Sequence, residues 1–310
     1  MKVSVIIPTT ASAARAKYLR QAIASVQAQT GVDAEALVVV NGDRAEQALV
    51  ESIERLPGVR VVRLWEANLP KALLYGRENV DAAFFSQLDD DDELLPNALR
   101  VRLDALEADE NVDVVITRGL RGSAGHEAES AANLDYARSD PLMAILERNW
   151  FYPGSALYRS KTIGPAYFRD VPKYLEWTFI GARLALERRI VFLDDVTFRY
   201  RTDNPDSVSR TSAYVLAQPE GLKALLSLDL PAPAVRRARE NLAAAHHACS
   251  DLHLAQSHRL KALISHLKSL NSRSGLRYIA YTRHLLWARG LKNKENLRHE
   301  GTHEDPVSGD

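Results

Sequence analysis

An apolar run of strand length, Ala82 to Leu88, stops abruptly at four consecutive aspartates, Asp89 to Asp92. Glu93 and two leucines follow, and Pro96 opens what reads as a helix. The run belongs in a core, yet four adjacent carboxylates cannot be buried unpaired, because each would lose its hydration without return. They must therefore stand at the strand's end, in water or around a cation. Carboxylate oxygens are hard ligands that suit Mg2+ or Mn2+, and such ions commonly share their coordination with substrate phosphates. An acidic run by itself is also what a solvated turn looks like. The buried strand before it, and the order of elements around it, favour a site.

The chain leading to this point alternates regularly. Val3 to Ile7 is a β-branched run stopped by Pro8, a short buried strand. Tyr18, Leu19, Ala22, Ile23 and Val26 mark one face of a helix. Leu37 to Val40 is a second buried strand, closed by Asn41-Gly42-Asp43, and Arg44 to Arg55 is helix-like. Gly58 to Leu64 gives a third strand, Pro70 to Asn79 a short helix, and Ala82 to Leu88 the fourth strand. Leu99, Leu103 and Leu106 mark the next helix, and Val112 to Thr117 a fifth strand. Continuously apolar strands in β-α-β-α order predict an α/β fold, with a mostly parallel central sheet and helices on both faces. Ligands on such sheets bind beyond the carboxyl ends of the strands. Three polar clusters fall there: Pro8-Thr9-Thr10, Asn41-Gly42-Asp43 and Asp89 to Asp92.

Further on, Gly119 to Ser139 reads as a mobile polar loop, and Asp140-Pro141 as a helix start. The aromatic cluster Trp150-Phe151-Tyr152 precedes a strand at Ala156 to Arg159. Tyr174 to Leu186 is helix-like, with Glu176 near its N-terminus. Ile190 to Leu193 and Thr197 to Tyr200 read as short strands, and Arg201 to Arg210 as a polar turn segment.

These features, in this order and spacing, resemble the family 2 glycosyltransferases, which have the Rossmann-like GT-A fold. The residues that carry the resemblance are Val3 to Thr9, Val39 to Asp43, Leu88 to Asp92 with Pro96, Tyr174 to Trp177 with Arg183, Tyr200-Arg201, and Ser207-Val208-Ser209. It covers about residues 1–210. It implies an inverting transfer of a sugar from a nucleotide-diphosphate sugar, UDP-linked, to an acceptor hydroxyl, in the synthesis of bacterial surface polysaccharide or glycolipid. The family's Asp-x-Asp motif falls on Asp89-Asp90-Asp91. By that analogy Asp91 and Asp89 hold Mn2+ or Mg2+, with Asp89 and Asp90 beside the donor. Pro8, Thr9, Asn41 and Asp43 would flank the base and ribose, although Asn-Gly is also a common turn. The family's Arg-Asn pair is absent after Asn68, and Lys71 or Arg77 is expected to take over a phosphate contact. Arg201 is a further diphosphate candidate.

Inverting transfer needs a base for the acceptor's proton. The family's Glu-Asp pair is here Glu176-Trp177, which leaves Glu176 as the catalytic carboxylate. An acid at a helix N-terminus also has a purely structural reading. Trp150, Tyr152 and Trp177 are acceptor-side candidates for stacking on a sugar, although aromatic residues are more often core. Two rival readings are a non-catalytic nucleotide-sugar-binding module and a sugar-nucleotide pyrophosphorylase. The pyrophosphorylase would want a Gly-rich, basic loop after the first strand, where Thr9-Thr10-Ala11 stands.

From Pro231 the pattern changes. Val235, Ala238, Leu242, Ala245, Cys249 and Leu252 form an amphipathic seam, and Leu260, Leu263, Leu267 and Leu270 a second stripe. The net charge of zero hides an asymmetry: Thr211 to Lys294 holds 13 Lys and Arg against 4 Asp and Glu. A basic tail region behind an acidic body suggests an anionic surface as partner, or a homodimer through the seam. Four histidines between 246 and 258 fit a basic helix surface better than a metal site. The expected organisation is a GT-A domain at 1–210, a helical region at 211–292 and a disordered tail at 293–310. One cysteine, no visible signal peptide and no apolar run of spanning length lead us to expect a cytoplasmic protein, or one held at the membrane's inner face. No nucleic-acid partner is expected. The donor's partner substrate would be a sugar or a lipid-linked acceptor.

Overall fold

The computed structural model describes residues 1–123, 126–129, 134–202 and 211–287. The first half is built from β1 (Lys2–Thr9), α1 (Ala16–Gln27), β2 (Asp33–Asn41), α2 (Gln47–Glu54), β3 (Val59–Leu64), α3 (Leu69–Glu78) and β4 (Phe84–Gln87). It continues through β5 (Glu93–Leu94), α4 (Ala98–Ala108), β6 (Val114–Ser123), β7 (His126–Glu129), α5 (Leu134–Ser139) and α6 (Pro141–Glu147). Then come β8 (Ala156–Arg159), α7 (Glu176–Glu187) and β9 (Ile190–Tyr200). Four helices follow: α8 (Ser212–Leu226), α9 (Ala232–Ala255), α10 (Arg259–Ser269) and α11 (Tyr281–Trp287).

Among the described residues nine strands form one sheet in the order β3-β2-β1-β4-β8-β6-β9-β5, with β7 on β6. The β3-β2-β1-β4 half is parallel, as its continuously apolar strands require. Beyond β4 the sheet is mixed, because β8 runs antiparallel to both β4 and β6. Alternate residues of β1 serve opposite faces. Val3, Val5 and Ile7 join Leu19, Ile23 and Leu103 in one core, while Ile6 meets α3, where Gly76 leaves no room for a Cβ. Helices therefore cover both faces of the strands that end at the acidic run.

Several elements differ from the sequence expectation, each for a local reason. β1 runs through Pro8 to Thr9, and Pro8 sits opposite Val39 in the parallel pair. The segment 119–139 is not simply a loop: β6 continues to Ser123, and β7 and α5 follow. Its residues 124–125 and 130–133 lie outside the described residues. The two short strands at 190–200 are one strand, whose pairing with β6 shifts register between Ile116 and Gly119. That irregularity turns Asp194 and Asp195 outward, where their polarity had read as a break. The Ser207-Val208-Ser209 match and the tail from 293 lie outside the described residues.

The chain falls into two compact units, residues 1–238 and 239 onward. The first reaches past the expected boundary near 210 because α8 packs on the start of α7. A Cβ on Gly221 would lie 2.8 Å from Leu175 Cβ, and Gln218 Nε2 donates to Tyr174 O at 2.9 Å. Along α9 the expected seam buries Ala238 and Cys249 and leaves Val235, Leu242, Ala245 and Leu252 half-buried.

Candidate active site

β1, β2 and β4 end side by side, and their last residues are tied together. Gln87 pairs with Ile6, so the chain leaving β4 climbs beside Ile7 to Thr9. Leu88 N donates to Ile6 O at 3.0 Å, and a turn closes with Asp92 N donating to Asp89 O at 3.1 Å. Asn41 Nδ2, at the end of β2, donates to Thr9 O at 3.1 Å. Thr9 Oγ1 in turn donates to Asp90 Oδ2 at 2.5 Å. Three strand ends are thus joined through Thr9, whose main-chain oxygen accepts from Asn41 and whose hydroxyl donates to Asp90 in the acidic turn.

Two arginines hold the acidic turn, one from each side. Arg15, in the 3-10 turn that leads into α1, donates through Nε to Asp90 Oδ2 at 3.2 Å, binds Asp90 Oδ1 through its terminal nitrogen, and reaches Asp91 Oδ2 at 3.3 Å. Arg201, just past β9, gives its backbone N–H to Asp92 Oδ1 at 2.9 Å and its Nε to the Asp91 carbonyl at 3.0 Å. Its guanidinium also donates to Glu93 at 2.6 Å and lies 5.1 Å from the Tyr18 ring centre. Arg201 is therefore a clamp on the backbone of the acidic turn, and its charge is shared with Glu93.

Negative charge nevertheless accumulates. Burial raises the Asp89 carboxyl well above the ordinary carboxylate range, and the charges of Asp91 and Asp90 push the same way. Burial also raises Asp90, against the pull of Arg15 and Thr9. Asp92 is raised well above its usual range by burial, then by Asp89 and Asp91, and its Oδ2 is buried without a hydrogen-bond partner. Tyr200, packed 5.6 Å from the Tyr152 ring, is pushed up to about 12 by burial and then by Asp92, Asp89 and Asp91. This excess is what a divalent cation relieves. Among the described residues no three or more His, Cys, Asp or Glu groups converge as a ready cage. One or two carboxylates with the remaining positions left for substrate phosphates suit Mg2+, so the donor set present fits an ion shared with a diphosphate.

Glu176 opens α7 and is only 6 % exposed. Burial raises its carboxyl above the usual range, partly offset by backbone hydrogen bonds at Tyr174 and at its own N–H. Its charge is felt at Asp89, so the base candidate and the acidic turn belong to one site. Tyr174 holds a left-handed backbone, φ 69°, two residues before it. Trp177 is half-buried with its ring 5.9 Å from Phe151.

The other expected residues divide. Pro8 and Thr9 are buried in β1, and Asp43 is exposed in the turn after β2. Trp150 is a correction: it is buried in the core, donates Nε1 to Pro141 O at 2.9 Å and packs edge-on to Phe151 and Phe192. It offers no face to a sugar. Arg77 is also a correction, since it is buried and donates to Ile163 O and Ser160 O at 2.8 and 2.7 Å, against Phe85. Lys71 is exposed at the start of α3 and paired with Glu66 at 2.5 Å. It lines a cavity of about 350 Å³ with Asn68, Phe168, Arg169 and Lys173. Arg15 and Tyr214 were not anticipated, and Tyr200 was expected as part of the Tyr200-Arg201 match without a role of its own. Tyr214 of α8 is raised by burial and then by Glu176, which sets it beside the base candidate.

A half-parallel sheet with an acidic turn at its carboxyl edge, and a buried carboxylate whose charge reaches that turn, is a GT-A type of glycosyltransferase fold. The model of the family described as Glycosyl transferase family 2 matches residues 4–166, more than half of the chain, and the chain belongs to that family. Membership sets aside the pyrophosphorylase reading. An uncharacterized glycosyltransferase of Rickettsia conorii is 30 % identical over 151 residues, 47 % of this chain and 23 % of that protein. One from Rickettsia typhi is 33 % identical over 119 residues, 38 % of this chain and 36 % of that protein. The chain thus spans about a quarter to a third of the length of these curated relatives. Among solved structures, S. aureus TarS 1-349 in complex with UDP-GlcNAc aligns with a TM-score of 0.56 at 18 % identity, covering 84 % of this chain and 76 % of that one. The same protein with UDP aligns with a TM-score of 0.56 at 18 % identity, over 100 % of this chain and 95 % of that one. At that identity the likeness is one of fold. No helix among the described residues is long and apolar enough to cross a membrane.

Proposed function

We propose that the protein is a metal-dependent inverting glycosyltransferase that moves a sugar from a UDP-linked donor to an acceptor hydroxyl. The observation that carries this reading is the placement of four aspartates directly beyond the carboxyl end of β4, with Asp92 Oδ2 buried without a hydrogen-bond partner and a buried Glu176 opening α7. Such a site has charge to give to a cation and a base set apart from it. The similarity to a protein solved with UDP and with UDP-GlcNAc supports the uridine diphosphate donor.

Asp91 and Asp89 would hold Mn2+ or Mg2+, which when bound neutralises charge on the departing diphosphate. Pro8, Thr9, Asn41 and Asp43 would bound the base and ribose, with Asp90 fixed by Thr9 and Arg15. Lys71 serves as a second-line contact from the α3 end, and Arg201 keeps the acidic turn in place. Glu176 takes the acceptor hydroxyl's proton as that oxygen bonds to the anomeric carbon. The bond from that carbon to the diphosphate oxygen breaks on the opposite face, and the electron pair leaves with UDP. Tyr152 and Trp177 border the acceptor side.

The acceptor in this reading is a sugar or a lipid-linked sugar of bacterial surface polysaccharide or glycolipid, met in the cytoplasm at the inner face of the membrane. The C-terminal helices then serve membrane contact or the pairing of two subunits. Calorimetric titration of UDP tests the donor site: Mn2+ should tighten binding to the wild-type protein, and Asp91→Ala should abolish that dependence. Equal UDP affinity with and without Mn2+ in the wild type would reject the metal role.

A further inference from the structure

Helix α10 is turned inside out. Its buried residues are Ala262, His266 and Ser269, small or polar. Three of its four large apolar residues, Leu260, Ile264 and Leu267, point outward, 44 to 72 % exposed, while Leu263 is half-buried. Their spacing, four and then three, puts them on one face. Leu276, Ile279 and Leu286, in the same unit, are 53 to 64 % exposed. Isolated exposed leucines are ordinary, but a row along one helix marks a surface that meets something.

The charge around this row selects the occupant. From Gln256 to Trp287 the chain has six Lys and Arg and no Asp or Glu. Arg259, Lys261 and Lys268 are exposed on α10 itself. A second copy of the chain would bring the same cations against them, an arrangement that like charges oppose. An anionic bilayer meets both features at once. Its headgroups take the cations, and its acyl boundary takes the apolar row.

We propose that the outward face of α10 docks on an anionic membrane surface, with Leu260, Ile264 and Leu267 inserted and Lys261 and Lys268 among the headgroups. This gives the membrane contact of the preceding reading its surface, and it does not depend on the donor chemistry.

Co-sedimentation of the full chain with vesicles tests it. The wild-type protein should sediment with mixed phosphatidylglycerol and phosphatidylcholine vesicles and stay behind with phosphatidylcholine alone. Leu260→Ser/Ile264→Ser/Leu267→Ser, and separately Lys261→Glu/Lys268→Glu, should each lower partitioning roughly tenfold or more. Both variants alter exposed side chains, so melting temperature and UDP affinity should hold. Three results would overturn the proposal: no sedimentation of the wild type with the anionic vesicles, sedimentation of both variants equal to the wild type, or a wild-type dimer in solution that the triple variant converts to monomer without vesicle binding. A wild-type protein that sediments yet fails to bind UDP would strike the donor reading alone.

Discussion

Asp92 sits in the acidic turn with one oxygen bonded to the Arg201 N–H and the other buried without a partner. Its burial is therefore a cost to the fold in the absence of a cation. Asp92→Asn keeps the acceptor and removes the charge, and it should stabilise the metal-free protein by about 1–2 kcal/mol. Urea unfolding at neutral pH in the presence of a chelator measures this, and a loss of stability would contradict it. Glu176 makes a different prediction. A base must be deprotonated to act, and burial raises this carboxyl. Turnover should then fall as pH drops through a value above the ordinary glutamate pKa of about 4.3. In Glu176→Gln the acidic limb should vanish along with roughly 10²–10⁴-fold of the rate. An acidic limb at the ordinary value would mean that another group carries the proton. The carboxylates were legible because adjacent acids after a buried strand are rare and costly. Arg15 was not, since its partners lie 75 and 76 residues away and a lone arginine in the alanine-rich turn before α1 gives no local signal.

The elements around the site are held by a second buried cation. Arg102 of α4 is fully buried and reaches Gly154 O at 2.6 Å, Thr117 Oγ1 at 3.1 Å and the Thr197 hydroxyl. It thereby fastens one helix to β6, to β9 and to the turn before β8. Burial pushes its pKa down to about 9, which leaves it charged at neutral pH. Arg102→Met fills the volume but takes the buried donor from Gly154 O, while Thr117 and Thr197 keep their bond to each other, and it should cost about 1–3 kcal/mol in urea unfolding. A change under a few tenths would mean water replaces the guanidinium. Periodicity revealed nearly every helix and strand of the parallel half, where both faces are covered and the runs are wholly apolar. It failed where the sheet turns mixed. Asp194 broke the apolar run of β9 because it faces outward to Arg118 and Arg138, at 2.8 Å from each. The two residues of β5 are too few to carry a period, and only their pairing with β9 defines them.

At the scale of the molecule, two compact units share one chain, and every residue of the proposed donor site lies in the first. A ligand stabilises only the unit that binds it. Scanning calorimetry should resolve two transitions, and UDP with Mn2+ at about 100 times its dissociation constant should stabilise one of them by about 2.7 kcal/mol. The other should not move. A single transition that shifts as a whole would mean the units unfold together. The strand-end convergence of the site was readable from the sequence, since a parallel sheet sends each polar cluster to the same edge. Arg15 and Tyr214 were not, and Arg201 was expected at a diphosphate rather than on the turn, because contacts between distant parts of the chain leave no spacing to read. The relay from Asn41 through Thr9 to Asp90 has a bearing on descent. Any substitution that remodels the tip of β2 is transmitted to a carboxylate of the acidic turn. On the proposed reading, the residues assigned to the base and those assigned to the cation are thereby physically linked, and a lineage or an engineer that changes one set must retune the other.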